Sequence, residues 1–258
     1  MIVNLTNRFI LLLDVETAND TTDALVYDIG GVLMDIYGNI YETFSFVIRD
    51  IFCDERELMK VAYYGNKIPE YLQDIEQGKR QMVDFLQAWN YIRRLMARYE
   101  CVTVAAYNCN FDRNALNTTL RFLTKSKYRW FFPHGTEFVC VWNMACGSVC
   151  QTSEYKTFAE TNRLYSNHGK NYRATAETVY AFLTNNSQFH EEHKGLDDVK
   201  IEREIFLKCL EYGSDIKSIS RLCWRNVKRG AIALRSFFVK FRARAESLRR
   251  INLTLYVR

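Results

Sequence analysis

The reading of this chain turns on the stretch Phe9-Ile10-Leu11-Leu12-Leu13-Asp14-Val15-Glu16-Thr17. Five apolar residues run straight into Asp14-Val15-Glu16, the pattern of a strand buried on both faces. Side chains alternate along a strand, so Asp14 and Glu16 point to the same face. Two carboxylates at the end of a buried strand repel each other, which costs free energy unless a cation or a shared proton relieves it. By itself the stretch also reads as a solvated strand end leading into the polar loop Ala18-Asn19-Asp20-Thr21-Thr22. Further carboxylates arriving from elsewhere in the chain would decide between the two.

Working outward, residues 24–35 form a second strand, with Gly30-Gly31 allowing a bulge or a close backbone approach. Residues 36–39 make a turn, and Tyr41 to Ile48 alternate as a third strand of an antiparallel meander. Helices are expected over 54–64 and 80–99, the second with Met82, Phe85, Leu86, Trp89, Ile92 and Leu95 at helical spacing. Residues 101–107 read as a fourth strand and 111–123 as a helix, followed by an irregular aromatic run, 128–133. Helices over 137–147, 155–164, 174–184 and 197–211 complete the body. The order β-β-β-α-β-α and then helices indicates an α/β fold with a mixed sheet.

The 258 residues suffice for one well-buried domain with an appendage, and the 48% apolar and 25% charged content is ordinary for a soluble globular protein. No apolar run reaches the roughly 20 residues of a membrane helix, so no membrane partner is expected. The N-terminus lacks signal-peptide anatomy, which points to a cytoplasmic protein. The eight cysteines are scattered without a Cys-x-x-Cys pair, as expected of free thiols in a reducing compartment. Cys140, Cys146 and Cys150, with His134 upstream, could make a zinc site only at spacings that match no common pattern, so packing in the core is preferred.

Charge divides the chain in two. Residues 221–258 hold 11 Lys and Arg against one acid, a balance of +10, whereas the other 220 residues hold 24 basic and 29 acidic side chains, a balance of −5. The expected organisation is a body over 1–220 and a basic amphipathic helical tail over 221–258. Leu234, Phe237, Phe238, Phe241, Ala245, Leu248 and Ile251 line the apolar face of that tail. Such a helix would dock on the body, lie on nucleic acid or lie on a membrane surface; docking is favoured, and it leaves the basic face able to touch nucleic acid.

Two further acidic elements follow. In Tyr107-Asn108-Cys109-Asn110-Phe111-Asp112 a strand ends and Asp112 enters the first turn of a helix, where a carboxylate is also favoured by the helix dipole. In Glu191-Glu192-His193-Lys194-Gly195-Leu196-Asp197-Asp198, His193 and Asp198 are five residues apart. On one continuous helix they would diverge by about 140°. They converge only if Gly195 marks a loop and Asp197-Asp198 opens the helix.

Asp14-x-Glu16, Asn108-x-x-Phe111-Asp112 and His193-x4-Asp198, in that order, resemble the DEDD exonuclease superfamily in its histidine-marked branch, the DEDDh or DnaQ-like exonucleases. The proofreading subunit of bacterial DNA polymerase III, RNase T and oligoribonuclease belong to it. The resemblance covers residues 8–212 or so and implies an RNase H-like fold. It implies 3′→5′ removal of nucleoside 5′-monophosphates from single-stranded ends, with DNA favoured over RNA. Asp14, Glu16, Asp112 and Asp198 would hold two Mg²⁺ or Mn²⁺ ions, Asp14 bridging both, and His193 would act as general base. Gly195 would let the His193 loop swing in over substrate. Thr17 and Ala18 follow the strand where the family's backbone contacts the terminal nucleotide, and Asn108 matches an asparagine four residues before the second Asp, so the resemblance implies substrate binding by all three. Tyr107 stands where several relatives carry histidine. Some relatives are dimers and some serve polymerases, which leaves a homodimer and a polymerase or replication partner open; a free-standing enzyme is favoured over a polymerase subunit. Outside this reading stand an exoribonuclease and a nucleic-acid-binding protein without turnover. Four converging acids, which repel phosphate, argue against the latter.

Overall fold

The computed structural model describes residues 9–19, 21–214 and 223–229. Strands β1 (Ile10–Ala18), β2 (Leu25–Met34) and β3 (Ile40–Ile48) form the meander. Short helices α1 (Arg49–Phe52) and α2 (Arg56–Lys60), then α3 (Ile68–Glu76), lead to β4 (Gln81–Val83) and α4 (Phe85–Arg98). After them come β5 (Thr103–Ala106), α5 (Cys109–Thr124), β6 (Glu137–Cys140), α6 (Val141–Gly147), α7 (Ser153–Thr161), α8 (Ala176–Leu183) and α9 (Gly195–Glu211). The six strands lie in the order β4-β3-β2-β1-β5-β6. β2 is antiparallel to both neighbours, and the β1–β5, β5–β6 and β3–β4 pairs are parallel. The expected α/β mixed sheet flanked by helices is therefore the observed architecture.

Alternation along β1 builds both layers. Leu11, Leu13 and Val15 enter one core with Tyr71 of α3, Phe85 and Ile92 of α4, and Leu116 and Leu120 of α5. Ile10 and Leu12 enter a second core with Met144 of α6, Val179 of α8, and Val199, Ile205 and Phe206 of α9. Leu11, Leu12 and Leu13 are at most 1% exposed. Burying each such side chain contributes about 1.5–3 kcal/mol, which offsets the cost of holding two acids at the same strand's end. Asp14 and Glu16 continue the even-numbered series, so they face the α9 side of the sheet.

The meander, the fourth strand and the helices α5, α7, α8 and α9 lie close to where the sequence puts them. Three expectations need correction. The helix expected over 54–64 shrinks to Arg56–Lys60, and a separate helix, α3, follows with proline in its first turn. The helix expected from residue 80 starts at Phe85, because Gln81–Val83 pair with Phe46–Ile48 as an edge strand. Gln87 then hydrogen-bonds the Asp84 backbone N–H at 3.0 Å to start the helix. Likewise Glu137–Cys140 pair with β5, so only Val141–Gly147 of the expected 137–147 is helical.

Gly30 is a point of close approach. A Cβ there would lie 2.0 Å from the Leu196 backbone nitrogen, and one at Gly195 would lie 2.7 Å from the Gly30 nitrogen. Helix α9 thus sits directly on β2, and Gly195 is a packing glycine inside the helix start, not the loop hinge expected for it. The zinc reading of Cys140, Cys146 and Cys150 also fails. Cys140 packs with Ala106 and Cys109, Cys146 and Cys150 lie in the second core, and His134 is exposed. Among the described residues no helix is long and apolar enough to cross a membrane. Cys223–Asn226 form a single turn, and Arg229 pairs with Glu160 at 2.7 Å. The rest of the expected basic helix, from residue 230 on, lies outside the described residues.

Candidate active site

At the C-terminal end of β1 the sequence elements converge. Asp14 lies opposite Gly30 in the ladder and Glu16 opposite Asp28; one residue later the register shifts, so Thr17 meets Val26. Asp112 arrives in the first turn of α5 and is 3% exposed. Asp198 arrives in the first turn of α9 and is 6% exposed. The backbone turns at His193, whose φ of 47° lies in the left-handed region, and Lys194 caps α9. This break removes the 140° divergence of a continuous helix. Ligand atoms of Glu16, His193 and Asp198 all lie within 4.8 Å of one another. Asp14 and Asp112 stand beside this trio without completing a triple at that distance among the described residues.

The electrostatics reflect five acids in one place. Burial first, then the charges of Glu202, Asp112, Glu16 and Asp198, holds the Asp14 carboxyl well above the usual range. Burial, with Asp198, Asp28 and Asp112 adding to it, pushes Glu16 up to about 9. Burial also raises Asp112 to about 7, against backbone N–H groups that favour its charged form, and Asp198 to about 7. One carboxylate oxygen of Asp112 and one of Asp198, both Oδ1, are buried without a hydrogen-bond partner. The other oxygen of Asp198 accepts the Lys194 N–H at 3.0 Å. Orphaned carboxylate oxygens beside other acids are what a hard divalent cation binds, so the residues present fit such an ion.

His193 is held from the side. Its ring stacks on Tyr64 with centroids 4.2 Å apart and planes 14° from parallel. Its Nδ1 lies 3.9 Å from Glu191 Oε2, which leaves Nε2 for a ligand. Burial and the Lys67 ammonium lower its pKa, so the ring is neutral at neutral pH. Behind it a buried ionic network fixes the start of α9. Arg80 donates to Asp28 at 3.0 Å and to Asp197 at 3.0 Å. Asp28 also accepts from Tyr71 Oη at 2.8 Å and from the Gly195 N–H at 2.9 Å. Lys194 bonds Asp74 at 3.1 Å and Glu70 at 2.9 Å.

The three residues expected to meet a nucleotide separate. Asn108 is exposed at the start of α5, where its side chain makes no capping bond, and Thr17 is half-buried beside the register shift. The Ala18 side chain is fully buried in the first core, so its backbone is what it can offer a nucleotide. The Tyr107 side chain is buried, its hydroxyl donating to the Ala174 carbonyl at 2.7 Å.

Sequence reasoning missed three carboxylates. Glu202 is 3% exposed, accepts the Tyr107 N–H at 3.2 Å and bears on Asp14. Its place four residues after Asp198, on the same helix face, was the available signal. Glu191, raised to about 8 by burial and then by Asp198 and Glu177, forms a second close group with Glu177 and His193. Glu177 comes from α8, and no pattern in the sequence links it to the others.

No protein-family model matches the chain. No curated protein matches it in sequence. Solved structures match it in fold. A structure of exonuclease I superposes with a TM-score of 0.50 at 12% identity, covering 77% of this chain and 40% of that one. Cell-death related nuclease 4 gives 0.47 at 11% identity, covering 80% and 64%. E. coli exonuclease I in complex with a dT13 oligonucleotide gives 0.46 at 13%, covering 78% and 39%. The chain thus spans between 39% and 64% of the length of these structures. Its mixed sheet flanked by helices is the α/β fold of the RNase H-like exonucleases.

Proposed function

We propose that this chain is a metal-dependent nuclease that removes nucleotides from the 3′ ends of single-stranded nucleic acid, DNA before RNA. The observation that carries the reading is the meeting of Glu16, His193 and Asp198 within 4.8 Å, with Asp14 and Asp112 beside them and two buried oxygens left unpaired. The fold it shares with exonuclease I supports it. Asp14, Glu16, Asp112 and Asp198 would hold the Mg²⁺ or Mn²⁺ ions. Bound there, two ions supply charge neutralisation at the phosphate and acidify the attacking water.

The chain's own residues do the rest. Neutral His193 accepts a proton from water at Nε2, and the charges of Glu177 and Glu192 favour the imidazolium that forms. The water oxygen bonds to phosphorus, the bond from phosphorus to O3′ breaks, and O3′ takes a proton from solvent. A nucleoside 5′-monophosphate leaves and the shortened strand keeps a free 3′-hydroxyl. Asn108 and Thr17 would orient the terminal nucleotide. The Arg80–Asp28 network keeps α9, and with it His193 and Asp198, in register with β1.

The test is digestion of matched 5′-labelled single-stranded DNA and RNA in Mg²⁺, in Mn²⁺ and in EDTA. A ladder shortening from the 3′ end, lost in EDTA and stronger on DNA, is expected. Digestion that persists in EDTA, or that Asp14→Asn leaves intact, would overturn the assignment. A stronger RNA ladder would change the substrate and keep the mechanism.

A further inference from the structure

Helix α5 carries Asp112 in its first turn and Arg121 in its last, nine residues on, about 14 Å along the axis. Its far half crosses under the active-site end of the sheet, because Thr119 Oγ1 accepts the N–H of Val26, the residue paired with Thr17. The surface at this end of α5 differs from the rest of the body. Residues 113–136 contain Arg113, Arg121, Lys125, Lys127 and Arg129 and no acid, in a body whose balance is −5. Aromatic side chains stand out among these cations. Tyr128 is 80% exposed and Trp130 62% exposed. Arg121 lies 4.5 Å over the Trp130 ring, Lys125 4.4 Å over Phe122 and Lys127 5.5 Å over Tyr128. The Trp89 indole N–H donates to the Phe131 carbonyl at 2.7 Å, which brings Arg93, stacked on Trp89 at 5.2 Å, to the flank.

Single exposed aromatics need no explanation, but a run of them interleaved with unopposed cations does. Among the described residues none of Arg121, Lys125, Lys127 and Arg129 is ion-paired with a carboxylate. Rings that offer a free face, set between cations, match unpaired bases set between phosphates. A folded acidic protein surface would use the charges and leave the Tyr128 and Trp130 faces unused.

We propose that this strip, built from Arg121, Lys125, Lys127, Tyr128, Arg129 and Trp130, binds the single strand upstream of the 3′ end whose terminus enters the carboxylate site. The inference rests on the nuclease reading for its biological sense. Its physical content, a single-strand binding surface, is tested apart from turnover.

The experiment uses the full chain and two variants, Tyr128→Ala/Trp130→Ala and Arg121→Gln/Lys125→Gln/Lys127→Gln/Arg129→Gln. The probe is a fluorescent 20-nucleotide oligothymidylate, titrated in EDTA by anisotropy over a range of salt. The charge variant should bind about tenfold more weakly or worse, and its log–log salt slope should flatten by about 0.7 for each phosphate that is no longer neutralised. The aromatic variant should lose about fivefold or more with the slope unchanged, as removal of base stacking predicts. Cleavage of a dinucleotide in Mg²⁺, too short to reach the strip, should match the wild type in both. Unchanged affinity and slope in both variants would overturn the proposal, with the nuclease reading intact if the wild type still makes its ladder. Binding of the wild type to anionic lipid vesicles through these residues, with none to the oligonucleotide, would overturn it as well. A wild type that binds through the strip but cleaves nothing would sink the nuclease reading and leave the strip.

Discussion

Glu16 and Asp28 face each other across the β1–β2 ladder, and the protein treats these two buried acids in opposite ways. Asp28 is fully buried and saturated: Arg80, Tyr71 and the Gly195 N–H all donate to it. Burial still raises its pKa, but each of these partners pulls the other way. Glu16 has no ion pair among the described residues, and the neighbouring acids reinforce its burial instead. One acid has its partners built in and serves the fold. The other is left short of positive charge, as is the group around it. Buried charge without a partner is strongly destabilising, so its retention at one spot marks where a ligand completes the structure.

The comparison breaks most visibly at Asp14. Asp14→Asn removes from the uncompensated group an acid whose charged form folding disfavours, so digestion should fall below detection while Tm in EDTA rises by a few degrees, on the order of 1 kcal/mol. A thermal melt beside the activity assay reads both, and a fall in both would mean that Asp14 is a structural acid like Asp28. His193→Ala should lower the rate by about 10²- to 10⁴-fold without changing Tm. In the wild type the acid limb of the rate profile should lie below the usual imidazole range, because burial and Lys67 lower the His193 pKa and the proposed mechanism uses the neutral ring. Lys67→Gln should move that limb upward; an unmoved limb would mean that another group sets it.

Arg80→Met attacks the saturated side. It leaves Asp28 buried and unpaired and should cost about 3–5 kcal/mol, read as a drop in the urea midpoint. Activity per folded molecule should fall too, since Arg80 also holds Asp197 on α9.

Stability should respond to pH in a way that cations abolish. Glu16 rises to about 9, Glu191 to about 8, and Asp112 and Asp198 to about 7 in the folded chain, whereas the unfolded values lie near 4. The folded state therefore holds more protons between these limits. The stability these groups contribute is complete below pH 4 or so and is lost as pH rises through 7 to 9. Melts in EDTA should show Tm falling over that window, and saturating Mg²⁺ or Mn²⁺ should flatten the fall. The smallest effect is expected at Tyr64→Leu, which removes the ring stacked on His193 and should slow digestion about two- to tenfold. A loss as large as that of His193→Ala would give Tyr64 a more direct role.

Legibility followed length and local pattern. The nine residues of β1 carry a run long enough to identify a strand and a period that puts Asp14 and Glu16 on one face. Gln81–Val83 and Glu137–Cys140 are too short to show a period, and each runs straight into a helix with which it shares apolar spacing. Only pairing with β3 and β5 makes them strands. Glu177 and Glu191 meet His193 through the packing of α8 against the segment before α9, which no local pattern encodes.

Chain-local pattern was enough for the class of fold, the order of the acidic elements and the residue types they carry. Those depend on residue type and on periods of two and 3.6, which are properties of neighbours in the chain. The tertiary structure decided whether His193 and Asp198 could meet, through one left-handed residue and a helix capped just after it. It decided that Gly30 and Gly195 are points of contact, that Ala18 is core, and that Asp28 has its counter-charge while Glu16 does not. Those outcomes depend on which distant atoms share a few ångströms. Spacing along a chain does not fix that; packing of α9 onto the sheet does.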